Sequence, residues 1–227
     1  MHQFTADDIW VSGVASPDPV TGKFLDADLG DAPKLYRLRD GRRVLGAGQK
    51  DGRYHVLDAQ TGALIRSTQQ LTPPNALGGF QGSGAVADGV VYQHGTRLDA
   101  GAFACFSPDC LEGRVLALTE DGRRTRWSLA LRSSPLLGGL AVVNDVLYFQ
   151  SPVAEPEPLL EPPQWAFYAV DARTGSVLRH LTLDGRAVSA AAVAGGRVYI
   201  GAGNGVISQF GFDFQGALLQ LGLRGSR

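Results

Sequence analysis

The chain has 227 residues, of which 44% are hydrophobic and 19% charged, a composition typical of a globular protein. Its 21 Lys and Arg residues nearly balance its 22 Asp and Glu residues, so it lacks the basic excess that general nucleic-acid binding needs. No apolar run approaches the roughly 18 residues of a membrane span, so we expect no membrane-spanning helix. Thirty glycines without a Gly-X-Y period indicate many tight turns between short strands.

Residues 1–32 are predicted to form an N-terminal loop segment that carries the Asp-rich motif Asp26-Ala-Asp28-Leu-Gly-Asp31. The first eight residues have neither a basic start nor an apolar stretch, so they do not predict a signal peptide. On residue type alone, Asp28 is a turn residue beside Pro33, and Asp26 and Asp31 are predicted to be equally exposed.

From residue 33 onward the sequence repeats. The full unit occurs twice, a shorter unit once and a weaker unit once: Arg53-Tyr-His-Val-Leu-Asp58-Ala-Gln-Thr-Gly62, Ala166-Phe-Tyr-Ala-Val-Asp171-Ala-Arg-Thr-Gly175, Arg114-Val-Leu-Ala-Leu-Thr119-Glu-Asp-Gly122 and Val206-Ile-Ser-Gln-Phe210. The anchors Asp58, Thr119 and Asp171 are 61 and 52 residues apart. Propeller blades repeat every ~40–50 residues. The longer spacings therefore predict insertions, which we place at 96–112 and 152–163.

Each unit combines alternating strands with an Asp-x-x-Thr-Gly turn. The Asp side chain is predicted to cap the turn, and Gly62 and Gly175 to supply a positive φ. About sixteen strands are predicted between residues 33 and 221, with no amphipathic helix, and four strands per blade then give about four blades. The predicted fold is an all-β propeller, with blades over 33–213 and a C-terminal strand or tail over 214–227.

The segment from Ala47 to Gly62 resembles the repeat of pyrroloquinoline-quinone (PQQ) propellers, and is most similar to the polyvinyl-alcohol-dehydrogenase branch of the quinoprotein alcohol dehydrogenases. The preceding Asp26-to-Pro33 motif and the following Leu77-Gly-Gly-Phe-Gln81-Gly extend the match in the same order. The resemblance covers roughly 25–94, and more loosely reaches residue 212. It implies an eight-bladed propeller with PQQ and a divalent cation, usually calcium, near the central axis. This chain is then expected to be the C-terminal half, with about four blades.

The same resemblance assigns roles to four residues. Asp28 is implied to be the general base and a metal ligand, Lys50 a contact to the quinone carbonyls, and Gln49 and Gln81 further cofactor contacts. Gly82 stands where the branch usually has Trp. A carboxylate beside a substrate hydroxyl can take its proton, and a cation stabilises charge that develops on the quinone oxygens. On residue type alone, Lys50 remains a solvated lysine at the tip of a loop.

The resemblance implies a PQQ-dependent alcohol or polyol dehydrogenase-like propeller, partial or inactive as an isolated chain. The family's other metal ligands and its stacked Trp belong to N-terminal blades, for which 24 residues before Leu25 leave no room. The alternatives are a non-catalytic scaffold for protein–protein contacts and a truncated gene remnant. The expected partners are a second copy of the chain or a missing N-terminal half-propeller.

Two further predictions concern redox state and location. Cys105 and Cys110 flank a turn-prone loop and are interpreted either as a small disulfide loop or as two thiols. The family resemblance implies a periplasmic location, whereas the sequence without an export signal leaves a cytoplasmic one open.

Overall fold

The computed structural model describes residue 4 and residues 27–73, 79–98, 111–132, 138–152, 165–183, 189–202 and 216–222. Within these residues it contains β-strands and no helix, and thus no helix long and apolar enough to cross a membrane. The strands, in chain order, are β1 (Lys34–Arg37), β2 (Arg43–Gly48), β3 (Tyr54–Asp58), β4 (Leu64–Ser67), β5 (Ala85–Ala87), β6 (Val90–Leu98), β7 (Leu111–Thr119), β8 (Thr125–Arg132), β9 (Ala141–Val143), β10 (Val146–Pro152), β11 (Trp165–Asp171), β12 (Val177–Leu183), β13 (Ala192–Ala194), β14 (Arg197–Ala202) and β15 (Ala217–Gly222). The predicted all-β class is confirmed.

The strands form four antiparallel sheets in chain order, which we call blades I to IV. Blade I is β1–β4, blade II is β5–β8, blade III is β9–β12, and blade IV contains β13–β15. Each strand pairs with its neighbour in sequence, and the first strands β1, β5, β9 and β13 contact one another in succession. The first strands therefore line the inner edge of an arc of blades, which is the propeller arrangement that the repeats predict.

Side chains of alternate residues build the contacts between blades. In β6, Val91 faces blade I, whereas Val90 and Tyr92 face blade III, because successive side chains of a strand point to opposite faces. Three hydrophobic cores result, one at each junction between successive blades. Each described blade is held mainly by the apolar surface that it buries against its neighbours.

The two ends of the propeller differ in the lengths of their connections. At one end, which we call the hairpin end, the first and second strands are joined by residues 38–42, 88–89, 144–145 and 195–196, and the third and fourth by 59–63, 120–124 and 172–176. At the opposite end, which we call the site end, the second and third strands are joined by residues 49–53, 99–110, 153–164 and 203–216. The predicted insertions thus fall on two connections of the site end.

The Asp-x-x-Thr-Gly turns lie at the hairpin end and have the predicted geometry. Asp58 Oδ1 accepts hydrogen bonds from the backbone N–H groups of Gln60 and Thr61, at 3.0 and 2.8 Å. Gly62 and Gly175 have φ values of 73° and 78°, a region that favours glycine. Local hydrogen bonding and glycine φ therefore explain why this motif recurs.

Three predictions fall outside the described residues: the pairing of Cys105 with Cys110, the weak repeat at 206–210 and the role of the first residues of the chain. Residues 217–222, which the sequence assigned to a C-terminal strand or tail, form β15 and pair with β14 as the third described strand of blade IV. The division into 1–32, 33–213 and 214–227 stays a prediction.

Candidate functional site

The candidate site is built on the tight turn between β2 and β3, at the site end of blade I. Gln49 N–H donates to the Arg53 carbonyl at 2.9 Å, and Gly52 N–H donates to the Gln49 carbonyl at 3.0 Å. Gly52 has a φ of 81°, and a Cβ there would lie 1.9 Å from the Thr72 carbonyl oxygen. Only glycine fits this position, so the turn that presents Lys50 is fixed by the chain packed beside it.

Asp28 and Lys50 meet at this turn. The Lys50 ammonium donates to Asp28 Oδ2 at 2.8 Å, and the Lys50 backbone N–H donates to the Asp28 carbonyl at 2.9 Å. The Asp28 side chain is 51% exposed and that of Lys50 14% exposed. The structure therefore brings together the two residues to which the resemblance assigns the base and the quinone contact, although 22 positions separate them.

Gln49 lies beneath the pair as part of a buried hydrogen-bond chain. Its amide nitrogen donates to the Ala27 carbonyl, so its Oε1 faces His55 Nε2 at 2.8 Å. Since an amide oxygen only accepts, His55 Nε2 is the donor of this bond, and His55 Nδ1 is hydrogen-bonded to the Ser67 hydroxyl at 2.8 Å. Phe4 stacks on the His55 ring with centroids 4.0 Å apart. Gln49 thus ties the Asp28 loop to the sheet, and its role as a cofactor contact stays a prediction.

Gln81 is placed beside the Asp28 loop by its backbone. It forms an isolated parallel bridge with Gly30, and the N–H of Gly82 donates to the Gly30 carbonyl at 2.9 Å. Asp28, Gln49, Lys50 and Gln81 therefore share one neighbourhood at the site end. The cofactor contact assigned to Gln81 also stays a prediction.

Asp31 has a role that the sequence did not predict. Its carboxylate forms an ion pair with Lys34 and accepts hydrogen bonds from the backbone N–H groups of Gly48, at 2.8 Å, and Gly84, at 3.0 Å. The Asp31 side chain is fully buried, so the expectation that it is as exposed as its neighbours is wrong. Burial lowers the pKa of Lys34, and the charge of Asp31 opposes that shift. The sequence feature that could have indicated this ion pair is that Asp31 lies three residues before Lys34, in a chain with few lysines.

The described residues do not make a complete metal site. Ca²⁺ takes about six to eight oxygen ligands, and the described part of the chain holds no group of three or more His, Cys, Asp or Glu side chains placed to bind a metal. Asp31 is close in sequence, but its oxygens accept from two backbone N–H groups and from Lys34. Asp28 is therefore left as one carboxylate, which does not fit calcium by itself.

The described residues also offer only part of a quinone site. The Lys50 ammonium fits the carbonyl and carboxylate oxygens of PQQ as a hydrogen-bond donor. The two described tryptophans lie elsewhere: Trp127 donates its indole N–H to the Ala172 carbonyl at 2.9 Å, and Trp165 is buried in the core between blades III and IV. Neither is available as a stacking surface beside Lys50.

Comparisons with known proteins agree with this arrangement of blades and repeats. The sequence pattern of the PQQ_2 family, described as the outer membrane protein assembly factor BamB, matches residues 111–214. The polyvinylalcohol dehydrogenase of Sphingopyxis sp. (strain 113P3) is 35% identical over 99 residues, which are 40% of this chain and 14% of that protein.

Solved structures show the same fold at low sequence identity. A europium-containing methanol dehydrogenase matches 82% of this chain and 43% of its own with a TM-score of 0.57 and 16% identity. The quinohemoprotein alcohol dehydrogenase of Comamonas testosteroni matches 88% of this chain and 39% of its own, with a TM-score of 0.55 and 16% identity.

The described blades thus have the β-propeller fold that is found in quinoprotein alcohol dehydrogenases. More particularly, the chain carries PQQ-type repeats and resembles the quinoprotein alcohol dehydrogenases, with curated matches to polyvinylalcohol dehydrogenase, as the sequence predicted. Its match spans only 14% of the length of that curated relative.

Proposed function

We propose that this chain carries part of a PQQ-dependent alcohol or polyol dehydrogenase site and does not oxidise alcohols by itself. The observation that carries the proposal is the Asp28–Lys50 ion pair at 2.8 Å, because it joins the two residues that match the family pattern. A carboxylate and an ammonium side by side can accept a hydroxyl proton and bind an anionic oxygen, respectively.

The remaining groups of such a site have to come from outside the described residues. A single partly screened contact from Lys50 stabilises a bound anion by about 1 kcal/mol or less. Immobilising a cofactor costs about 4 kcal/mol or more. Lys50 by itself does not offset this cost, so we expect the chain alone to bind PQQ in the millimolar range at best, with neighbouring groups of the turn adding to the Lys50 contact.

A titration of the 227-residue chain with PQQ and calcium, followed by amide NMR, tests this proposal. We expect weak, millimolar-range binding that shifts the Lys50 and Asp28 signals, is lost in Lys50→Gln and is retained in Asp51→Asn. Asp51 is the matched control because it lies on the same turn and pairs with Arg53. A dye-reduction assay with short alcohols and polyvinyl alcohol should show no turnover.

Two outcomes would overturn the proposal. Unchanged Lys50 and Asp28 signals would remove the partial site. Micromolar binding with turnover that is lost in Asp28→Asn would show instead that the site is complete.

The second candidate function is a non-catalytic scaffold for protein contacts. It is favoured by the match of residues 111–214 to the family described as the assembly factor BamB, since this match leaves out the Asp28–Lys50 turn. Blade III also ends in the edge strand β12, where Val177 and Leu178 are exposed. An exposed strand edge can pair with another chain. The scaffold function predicts no response to PQQ at Lys50, so the same titration separates the two candidates.

A further inference from the structure

The contact between successive blades uses the same row of positions each time. We call the side of a blade that faces the next blade in the chain its leading face, and the opposite side its trailing face. On the trailing faces of blades II, III and IV, cross-strand pairing aligns an apolar residue from each of the first three strands. These rows are Val86–Val91–Leu118, Val142–Leu147–Val170 and Val193–Val198–Leu221.

The central residue of each row is closed off by the preceding blade. Val91, Leu147 and Val198 are at most 1% exposed, and each belongs to the core that its blade shares with the blade before it. The row is therefore the structural signature of a blade that is packed against a predecessor.

Blade I carries the same row on its trailing face, extended by one residue: Leu35, Leu45, Leu57 and Leu64 are aligned across its four strands. Here, however, Leu35 is 57% and Leu64 38% exposed. Phe4 covers His55 on the same face, nearer the site end, and leaves these leucines open. The central residue of the row, fully buried in the other three blades, is only partly buried here as Leu45, and the two outer leucines are exposed.

The leading face of blade IV shows the complementary feature. Strand pairing places Leu218 opposite Gly201. The residues equivalent to Leu218 in blades I, II and III are Tyr54, Val115 and Phe167. Those three side chains are at most 5% exposed because the next blade covers them, whereas Leu218 is 76% exposed. Large exposed apolar groups on a face that is elsewhere buried mark a contact surface.

We propose that the 227-residue chain forms a two-fold dimer in which the leading face of blade IV of one copy packs on the trailing face of blade I of its partner. A second copy is the occupant because this one chain displays both halves of the contact that it makes three times internally. The two-fold axis produces the contact twice, so no open face remains and the arcs close into one ring. Each ring then carries two Asp28–Lys50 pairs. The proposal rests on the fold and is independent of PQQ binding.

Sedimentation of the purified chain at micromolar concentration tests this dimer. We expect a dimer whose dissociation constant rises at least about tenfold in Leu35→Glu and in Leu218→Glu, because each variant buries an unpaired carboxylate in an apolar contact. Leu178→Glu is the matched control, since Leu178 is 58% exposed on the edge strand β12 of blade III, outside the two faces that form the proposed contact. Circular dichroism and thermal melting check that every variant is folded.

Mixing the two variants tests the direction of the contact. A one-to-one mixture of Leu35→Glu and Leu218→Glu chains keeps one of the two contacts fully apolar, so it should dimerise better than either variant alone. A monomeric unsubstituted chain overturns the proposal, and so does a dimer that is unaffected by Leu218→Glu, because that result indicates pairing through blade I alone. Assemblies larger than a dimer would also overturn the proposal, because two chains would then not close a ring.

Discussion

The carboxylate of Asp31 and the ammonium of Lys34 form a buried ion pair at the junction of blades I and II. Asp31 bonds to the backbone of Gly48 in blade I and of Gly84 at the entry to blade II, and Lys34 reaches the amide oxygen of Gln93 in β6 at 3.2 Å. One salt bridge thus connects the loop of the candidate site to two sheets.

We expect Asp31→Ala to lower the free energy of unfolding by about 3 kcal/mol or more, since it leaves a buried ammonium without its counter-ion and two backbone N–H groups without their acceptor. Urea denaturation measures the loss. Asp40→Ala is the control, because it removes an exposed pair with Arg42 and should change stability little. Equal losses in the free energy of unfolding for the two variants would show that burial of the Asp31–Lys34 pair does not add to its contribution to stability.

The glycines of the two complete repeats should respond differently to alanine. Both have a positive φ, which costs alanine about 1–2 kcal/mol. A Cβ at Gly175 would also lie 2.7 Å from the Trp127 ring, whereas nothing lies within 4 Å of one at Gly62. Gly175→Ala should therefore be less stable than Gly62→Ala by a further ~1–3 kcal/mol. Matching urea midpoints for the two variants would contradict packing between Trp127 and this turn.

The turn carboxylates should give the fold part of its acid sensitivity. Hydrogen bonds from the backbone N–H and hydroxyl of Thr61 lower the pKa of Asp58 from its ordinary 3.8, and those from the N–H groups of Thr174 and Arg173 lower the pKa of Asp171. A lowered folded-state pKa stabilises the fold above pH 3.8, and this contribution is lost as the pH falls through the folded pKa.

Asp58→Asn should therefore lower the melting temperature at neutral pH, and the gap to the unsubstituted protein should narrow once the pH is below 3.8. Thermal melts across that range measure it, and Asp171→Asn repeats the test in the second full unit. A gap that stays constant from neutral to acidic pH would contradict the cause given for the lowered pKa.

The Asp28–Lys50 pair should contribute little to folding. Its carboxylate is half exposed, and exposed ion pairs typically contribute about 1 kcal/mol or less. Asp28→Asn, Lys50→Gln and the double variant should melt close to the unsubstituted protein, with a coupling free energy below about 1 kcal/mol. A large loss in either single variant would mean that the pair holds the loop in place, and its effect on PQQ binding would then be indirect.

The parts of the fold that depend on neighbours in sequence could be predicted from the sequence. The strands alternate and the Asp-x-x-Thr-Gly turn closes on itself, so Asp58 and Gly62 reveal their roles within five residues. Burial of Asp31 depends instead on backbone groups 17 and 53 positions away, which no local pattern contains.

The candidate site shows the same division. Lys50 and Asp28 were paired in role by family resemblance, but the 2.8 Å contact arises because the β2–β3 turn packs against a loop 22 residues earlier. The bonding of Gln49 to Ala27 and His55 was not predicted for the same reason. Long-range contacts, and not residue type, decide which of these polar groups face outward.

The unequal connections at the two ends of the propeller have a practical consequence. At the hairpin end every described connection has two or five residues, whereas at the site end the connections between second and third strands range in length from that at 49–53 to that at 203–216. Loop closure grows only slowly more costly with length, and the strands flanking 99–110 and 153–164 stay fully paired. The site end can therefore serve as a grafting platform, where foreign binding peptides replace those two connections. The short connections of the hairpin end would keep the strands in register.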